Sequence, residues 1–104
     1  MAQFHFSGRA EADLLNIAAY TLQTWGVKRV IRYIDDLETT CRRLAANAAL
    51  GRRCDEVRPG LRRMERGRHV VFYREEGEGI LVSRILHQRM LPERHAIDDD
   101  DEGP

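Results

Sequence analysis

Five side chains in the second half of the chain have chemistry to offer: Arg62, Arg63, Arg84, His87 and Arg89. Cutting a phosphodiester takes one group to deprotonate a 2′-hydroxyl, another to protonate the leaving oxygen, and cations to stabilise the charged phosphorane. His87 is the candidate acid/base. Arg62 and Arg84, if adjacent strands carry them, would clamp a phosphate between two planar forks. A second use needs no catalysis, only a cationic face that grips a macromolecular target. The plainest reading is structural: alternate residues on a half-exposed antiparallel sheet are often charged to keep one face wet, and a histidine ending a strand can satisfy a backbone group.

Little else in the chain competes for a site. His5, His69 and His95 have no partner at metal-ligand spacing, and CxxC or HxxxH is absent, so neither a metal nor a cofactor is expected. Cys41 falls on the apolar stripe of an expected helix, which favours a buried free thiol. A disulfide between Cys41 and Cys54 stays open at this level.

The charge balance conceals an asymmetry. The net charge of the 104 residues is zero, but five of the 17 acids stand together from Asp98 to Glu102. Without them, 17 basic side chains face 17 − 5 = 12 acidic ones, a body of +5 followed by an acidic segment. Lys28 is the only lysine. The basic surface is therefore arginine, whose fork matches carboxylate and phosphate, although a GC-rich genome produces the same bias. The length is that of one domain. The first residues lack the apolar core of a signal peptide, and no apolar run is long enough to span a bilayer; a reduced, cytoplasmic protein is expected.

The elements that must carry these residues are legible from periodicity. Phe4 and Phe6 alternate with polar neighbours as a short strand, and Ser7 is a good helix N-cap. Leu14, Ile17, Ala18 and Leu22 recur at helical spacing over residues 8–24, with acidic Glu11 and Asp13 in the first turns. Trp25, a core residue by type, precedes Gly26, which ends the helix. Val30, Ile34, Leu37, Cys41 and Leu44 form the seam of a second helix over residues 27–47, so the two make an antiparallel hairpin. Residues 51–60 read as a loop. Three strands follow, around Leu61–Met64, His69–Tyr73 and Ile80–Leu86, with turns at Gly67 and Glu75–Gly79. The expected fold is α+β, in the order β-α-α-β-β-β, with the helix hairpin packed on a small antiparallel sheet. Residues 1–92 form the domain, and the acidic residues 93–104 are expected to be disordered.

Several segments, in this order and spacing, resemble the ParE branch of the RelE/ParE superfamily of toxins. They are Ser7 with Ala10, Asp13-Leu14 and Ile17; Tyr20 and Trp25-Gly26; Ala45 to Gly51-Arg52; Pro59-Gly60-Leu61-Arg62; His69 to Tyr73-Arg74; and Arg84 to His87-Gln88-Arg89-Met90. The resemblance spans residues 4–90, nearly the whole folded chain. It implies the toxin component of a bacterial type II toxin–antitoxin system, acting in plasmid stabilisation and growth arrest. Such toxins inhibit DNA gyrase by binding and are silenced in a hetero-oligomer with a ParD-like antitoxin. On that reading there are no catalytic residues, and Arg62, Arg63, Arg84, His87 and Arg89, with the segment up to Arg94, make target contact. The alternative is a ribosome-dependent mRNA endoribonuclease of the RelE type, working through Arg62, Arg84 and His87. In ribonuclease relatives an acid/base residue lies near the position of His87, but that branch is richer in lysine. A third reading is an inactive toxin that only binds antitoxin.

Overall fold

The computed structural model describes residues 2–89, so the domain boundary expected at residue 92 and the acidic run lie outside the described residues. Strand β1 is Phe4–Phe6, helix α1 Gly8–Trp25 and helix α2 Val27–Ala46. A 3-10 turn at Ala48–Leu50 leads to strands β2 (Arg52–Arg53), β3 (Arg62–Arg66), β4 (His69–Glu76) and β5 (Gly79–His87). The sheet order is β1-β5-β4-β3-β2, with the helix hairpin on one face.

Two hinge residues set this arrangement. The Ser7 hydroxyl accepts the Ala10 N–H (3.0 Å) and donates to the Ser83 carbonyl (2.7 Å), while the Ser7 N–H donates to Val82 (2.9 Å). The start of α1 is thereby both capped and pinned to β5. Gly26 alone joins the helices, at φ 92°, a conformation that L side chains rarely adopt. The antiparallel hairpin therefore needs no loop.

The main core lies between hairpin and sheet. Ala10, Ile17, Leu37, Cys41 and Leu44 meet Val71, Tyr73, Ile80, Val82 and Ile85. A second cluster, Cys54, Leu61, Val70, Phe72 and Leu86, with Val57 against it, covers the other face of the sheet. This is why β5 reads as a continuous apolar run rather than an alternation. Each side chain fully removed from water contributes about 1.5–3 kcal/mol, so the loop at 54–61 is a structural cover. The two cysteines belong to the two different clusters, on opposite faces of the sheet, and both are buried free thiols. The disulfide that the sequence left open is not formed.

Three expectations are corrected. The sheet is mixed, because β1 pairs with β5 in parallel (Phe4 opposite Ile80, Phe6 opposite Val82). Alternation in Phe4–Phe6 says which face is buried but not which neighbour the strand takes. The loop at 51–60 contains the two-residue strand β2, antiparallel to β3. Trp25 is not in the core but 53 % exposed. It continues the inward-facing line Ala10–Leu14–Ile17–Thr21 by one more turn, but there the strands have ended, and a cleft lies beneath it instead of packed side chains.

Candidate interaction surface

Strand β1 ends opposite Val82, and among the described residues no other strand pairs with the later part of β5 on that side. Asp13, one helical turn into α1, fills the gap. Its Oδ2 accepts the Ile85 N–H at 2.9 Å, and the same carboxylate receives Arg84 through both Nε (2.7 Å) and Nη2 (2.9 Å). The two side chains are only 13 % and 12 % exposed. A bidentate pair at this depth is held by geometry as well as charge. Asp13 thus acts as a clasp between helix and sheet rather than as a dipole partner of α1.

Arg62 donates to the Gly51 carbonyl at 2.8 Å. It belongs to a knot around the buried Tyr73, whose hydroxyl donates to Ala48 O (2.6 Å) and accepts the Gly51 N–H (2.9 Å). Position 51 has no room for a Cβ, which would collide with that hydroxyl. Arg63 lies over Phe72, its guanidinium carbon 5.4 Å from the ring centroid, and reaches Glu65 at 3.2 Å. Glu65 also holds Arg52, and that hydrogen bond keeps its carboxyl below the usual range. Arg84 follows Arg63 across the sheet: Arg63 is opposite Phe72, and Phe72 opposite Arg84.

His87 ends β5 opposite His69, the rings 5.6 Å apart edge to face. Its Nδ1 accepts the Arg89 N–H at 3.1 Å, so a neutral His87 carries its proton on Nε2. Arg89 itself is exposed. The His69 Nδ1 meets the Tyr33 hydroxyl at 2.5 Å, and that hydroxyl is also 3.1 Å from the Arg66 carbonyl. A tyrosine has one proton to give. With it on the carbonyl, His69 is the donor to Tyr33. Burial, then the neighbouring His87, hold the His69 pKa below its ordinary value, against a smaller opposing pull from Asp13.

The phosphate clamp expected from Arg62 and Arg84 is not formed. Strand β4 lies between their strands, and each arginine is directed at a different internal partner. Arg62 pairs with Tyr73 and His87 with His69, four residues along β4, roughly 13 Å at strand rise. The structure therefore separates the three groups that phosphodiester cleavage would need together.

It brings His87 together with residues that sequence reasoning did not place at a site. Below the closed end of the hairpin, where Gly26 joins the helices, is a cleft of about 370 Å³, walled by Tyr20, Trp25 and Arg29 on the helix side and by Arg68, His69 and His87 at the sheet end. Arg29 lies 4.9 Å from the Trp25 ring centroid. The Gly67 turn, at φ 61°, passes so close to Tyr33 that a Cβ there would sit 2.8 Å from its ring. The only signal in the sequence was the Gly67-Arg68 turn itself; the approach of α1, α2 and that turn is tertiary. Among the described residues, no helix is long and apolar enough to cross a membrane.

Comparison with known proteins gives this geometry a context. The family model for the ParE toxin of the type II toxin–antitoxin system parDE matches residues 4–92. Toxin ParE1 of Mycobacterium tuberculosis strain H37Rv is 42 % identical over 95 residues, covering 90 % of this chain and 97 % of that one. Toxin ParE of Escherichia coli is 41 % identical over 91 residues, covering 86 % and 88 %. Among solved structures, a chain described as the chromosomal ParDE TA system from P. aeruginosa superposes with a TM-score of 0.69 at 24 % identity, covering 84 % of this chain and 96 % of that one. That likeness speaks for the fold.

Proposed function

The chain belongs to the ParE family of toxins of type II toxin–antitoxin systems, and from that premise we propose that it arrests growth by binding DNA gyrase in the cytoplasm. The observation that carries binding over catalysis is the Arg84–Asp13 clasp. The arginine a nuclease would aim at a phosphate is held by an internal carboxylate at two points. Arg63, Arg89 and the exposed side of His87 then make the contact, on a frame that Arg62 and Arg84 hold in place. We assign residues 1–92 to the toxin domain and 93–104 to an appended acidic segment.

As a ParE toxin, the chain has an antitoxin for a partner. That antitoxin is ParD-like in our reading and forms a hetero-oligomer with the toxin. The helix hairpin offers it apolar surface, with Leu15, Leu22, Val27 and Ile31 all at least half exposed. An amphipathic helix or extended segment suits such a face.

A supercoiling and cleavage assay with purified gyrase, with and without antitoxin, tests the proposal. Cleaved DNA that accumulates with the toxin and vanishes with the antitoxin is the expected outcome. An unaffected gyrase sinks it. Cut mRNA in a translating extract would then establish the ribosomal alternative, and growth arrest on induction without the antitoxin would exclude a toxin that only binds antitoxin.

A further inference from the structure

The side chains that could grip a ligand are sorted by chemistry on this surface. Among the described residues, the large aliphatic side chains left exposed, such as Leu15, Leu22, Val27 and Ile31, all lie outside the cleft beneath Trp25. The two large exposed aromatic ones, Tyr20 and Trp25, both line it, and Tyr33 adds a third ring. No leucine, isoleucine, valine or methionine is among its walls. An amphipathic helix anchors itself by aliphatic contacts, so this cleft suits flat rings better than such a segment.

Charge is sorted as well. Arg52 and Arg63 share Glu65, Arg53 pairs with Asp55, Arg66 with Asp36 and Arg84 with Asp13. Arg29, on the helix side of the cleft, and Arg68, at its sheet end, are exposed, and among the described residues neither takes part in an ion pair. No carboxylate lines the cleft. Arg29 lies 4.9 Å from the Trp25 ring centroid, a cation–π contact that steadies the indole. Ring faces beside unbalanced cations are what an unpaired nucleotide needs: the base stacks on a ring and the phosphate takes the charge. Bases in a duplex hide their faces in the stack. The volume of about 370 Å³ stands at the lower end of the roughly 300–1,000 Å³ of ligand sites, which fits one nucleotide rather than several. Trp25 and Tyr20 are 53 % and 63 % exposed, so the site is shallow, and a strand running past it adds contacts that a free nucleotide lacks. We propose that this cleft takes one unpaired nucleotide of a single-stranded nucleic acid, the base against the Tyr20–Trp25 wall and the phosphate between Arg29 and Arg68. The site belongs to the toxin alone and stands whether or not gyrase is the target.

Trp25 is the only tryptophan, so a stacked base is read as quenching of its fluorescence, and affinity as the anisotropy of a fluorescein-labelled strand. The probes are dT and rU strands of about twelve nucleotides, within the span of one site, the dT strand paired with its dA complement, and dTMP. Either strand should quench Trp25 and bind about tenfold or more tightly than the duplex or dTMP. The tighter of the two strands names the source. Tyr20→Ala should weaken strand binding by about fivefold or more, the least that one stacked base contributes. Arg68→Gln should weaken it too, and lower the slope of log affinity against log salt by about 0.7, one phosphate contact on a single strand. Arg53→Gln removes an exposed arginine outside the cleft and should change affinity by less than about twofold. Circular dichroism confirms that each variant is folded. Absence of Trp25 quenching by both strands at about 0.05 M salt, where phosphate contacts are strong, overturns the proposal. So does a duplex bound as tightly as the strands, or an Arg53→Gln loss equal to that of Arg68→Gln, since either means general attraction to a basic body. Binding of dTMP as tight as that of the strands also overturns it, by making the cleft a pocket for free nucleotides.

Discussion

Asp13 and Arg84 tie the helix hairpin to the sheet at two points, since one carboxylate closes both the guanidinium and the Ile85 N–H of a strand edge that no other described strand covers. Removing one member strands the other in a nearly closed site. Asp13→Ala should therefore cost about 2–4 kcal/mol, less than a fully buried pair but more than a surface one. For a domain of this size the melting temperature should fall by about 10 °C or more. Asp13→Asn should recover part of that loss by accepting one of the hydrogen bonds. A calorimetric scan decides, and a shift of only a degree or two would show the clasp to be ornamental.

Charge reversal at Arg84 consequently reports on folding, because it would press two carboxylates together. The positions that test target contact are Arg63 and Arg89. Their replacement by glutamate breaks no buried pair, and surface ion pairs are worth at most about 1 kcal/mol. The double variant should keep its melting temperature within a few degrees and lose both growth arrest and gyrase-dependent DNA cleavage. A folded double variant that still arrests growth would remove these residues from the site. His87→Ala belongs in the same experiment: loss of an acid/base group lowers a rate by about 10²–10⁴, whereas a binding toxin should lose little.

The two helices and the three long strands were legible because apolar periodicity records which face of each element is buried. Leu37, Cys41 and Leu44 are core residues, as their spacing requires. What the spacing could not show is where an element outruns its partner. Trp25 keeps the helical phase of Thr21 yet overhangs the end of the sheet. The same limit hid the fate of Arg84, since the bulge between β4 and β5, where Phe72 faces Arg84 and Tyr73 faces Val82, breaks the alternation from which a face is read. The cleft combines residues from α1, α2, the Gly67 turn and the ends of β4 and β5, and no local pattern joins such distant positions.

Tyr73 offers a cleaner probe of the packing on which Arg62 rests. Its hydroxyl serves two backbone groups, Ala48 O and Gly51 N. Phenylalanine keeps the ring and deletes that service, leaving a buried donor without a partner, so Tyr73→Phe should cost about 1–3 kcal/mol in urea unfolding. Gly51→Ala should cost at least as much, because the new methyl group and the hydroxyl compete for one volume. A Tyr73→Phe variant as stable as the parent would mean that water takes over both groups.

The depressed pKa of His69 makes stability depend on pH in a defined direction. Its ordinary value is 6.5, and burial with the neighbouring His87 lowers it in the folded chain. Between the folded value and 6.5 the unfolded chain therefore binds more protons than the native one, and stability falls as pH falls. The contribution is fully present above pH 6.5 and is lost as pH drops through the folded value. Glu65 also has a lowered pKa, but its ordinary value is 4.5, so its share is lost only in a more acidic range. The melting temperature should accordingly decline below pH 6.5, before the carboxylates begin to titrate. His69→Gln, which keeps a donor for Tyr33 but cannot take up a proton, should flatten that first decline and leave the acid limb below pH 4.5 in place. If the variant and the parent decline in parallel between pH 6.5 and 5, another group carries the proton.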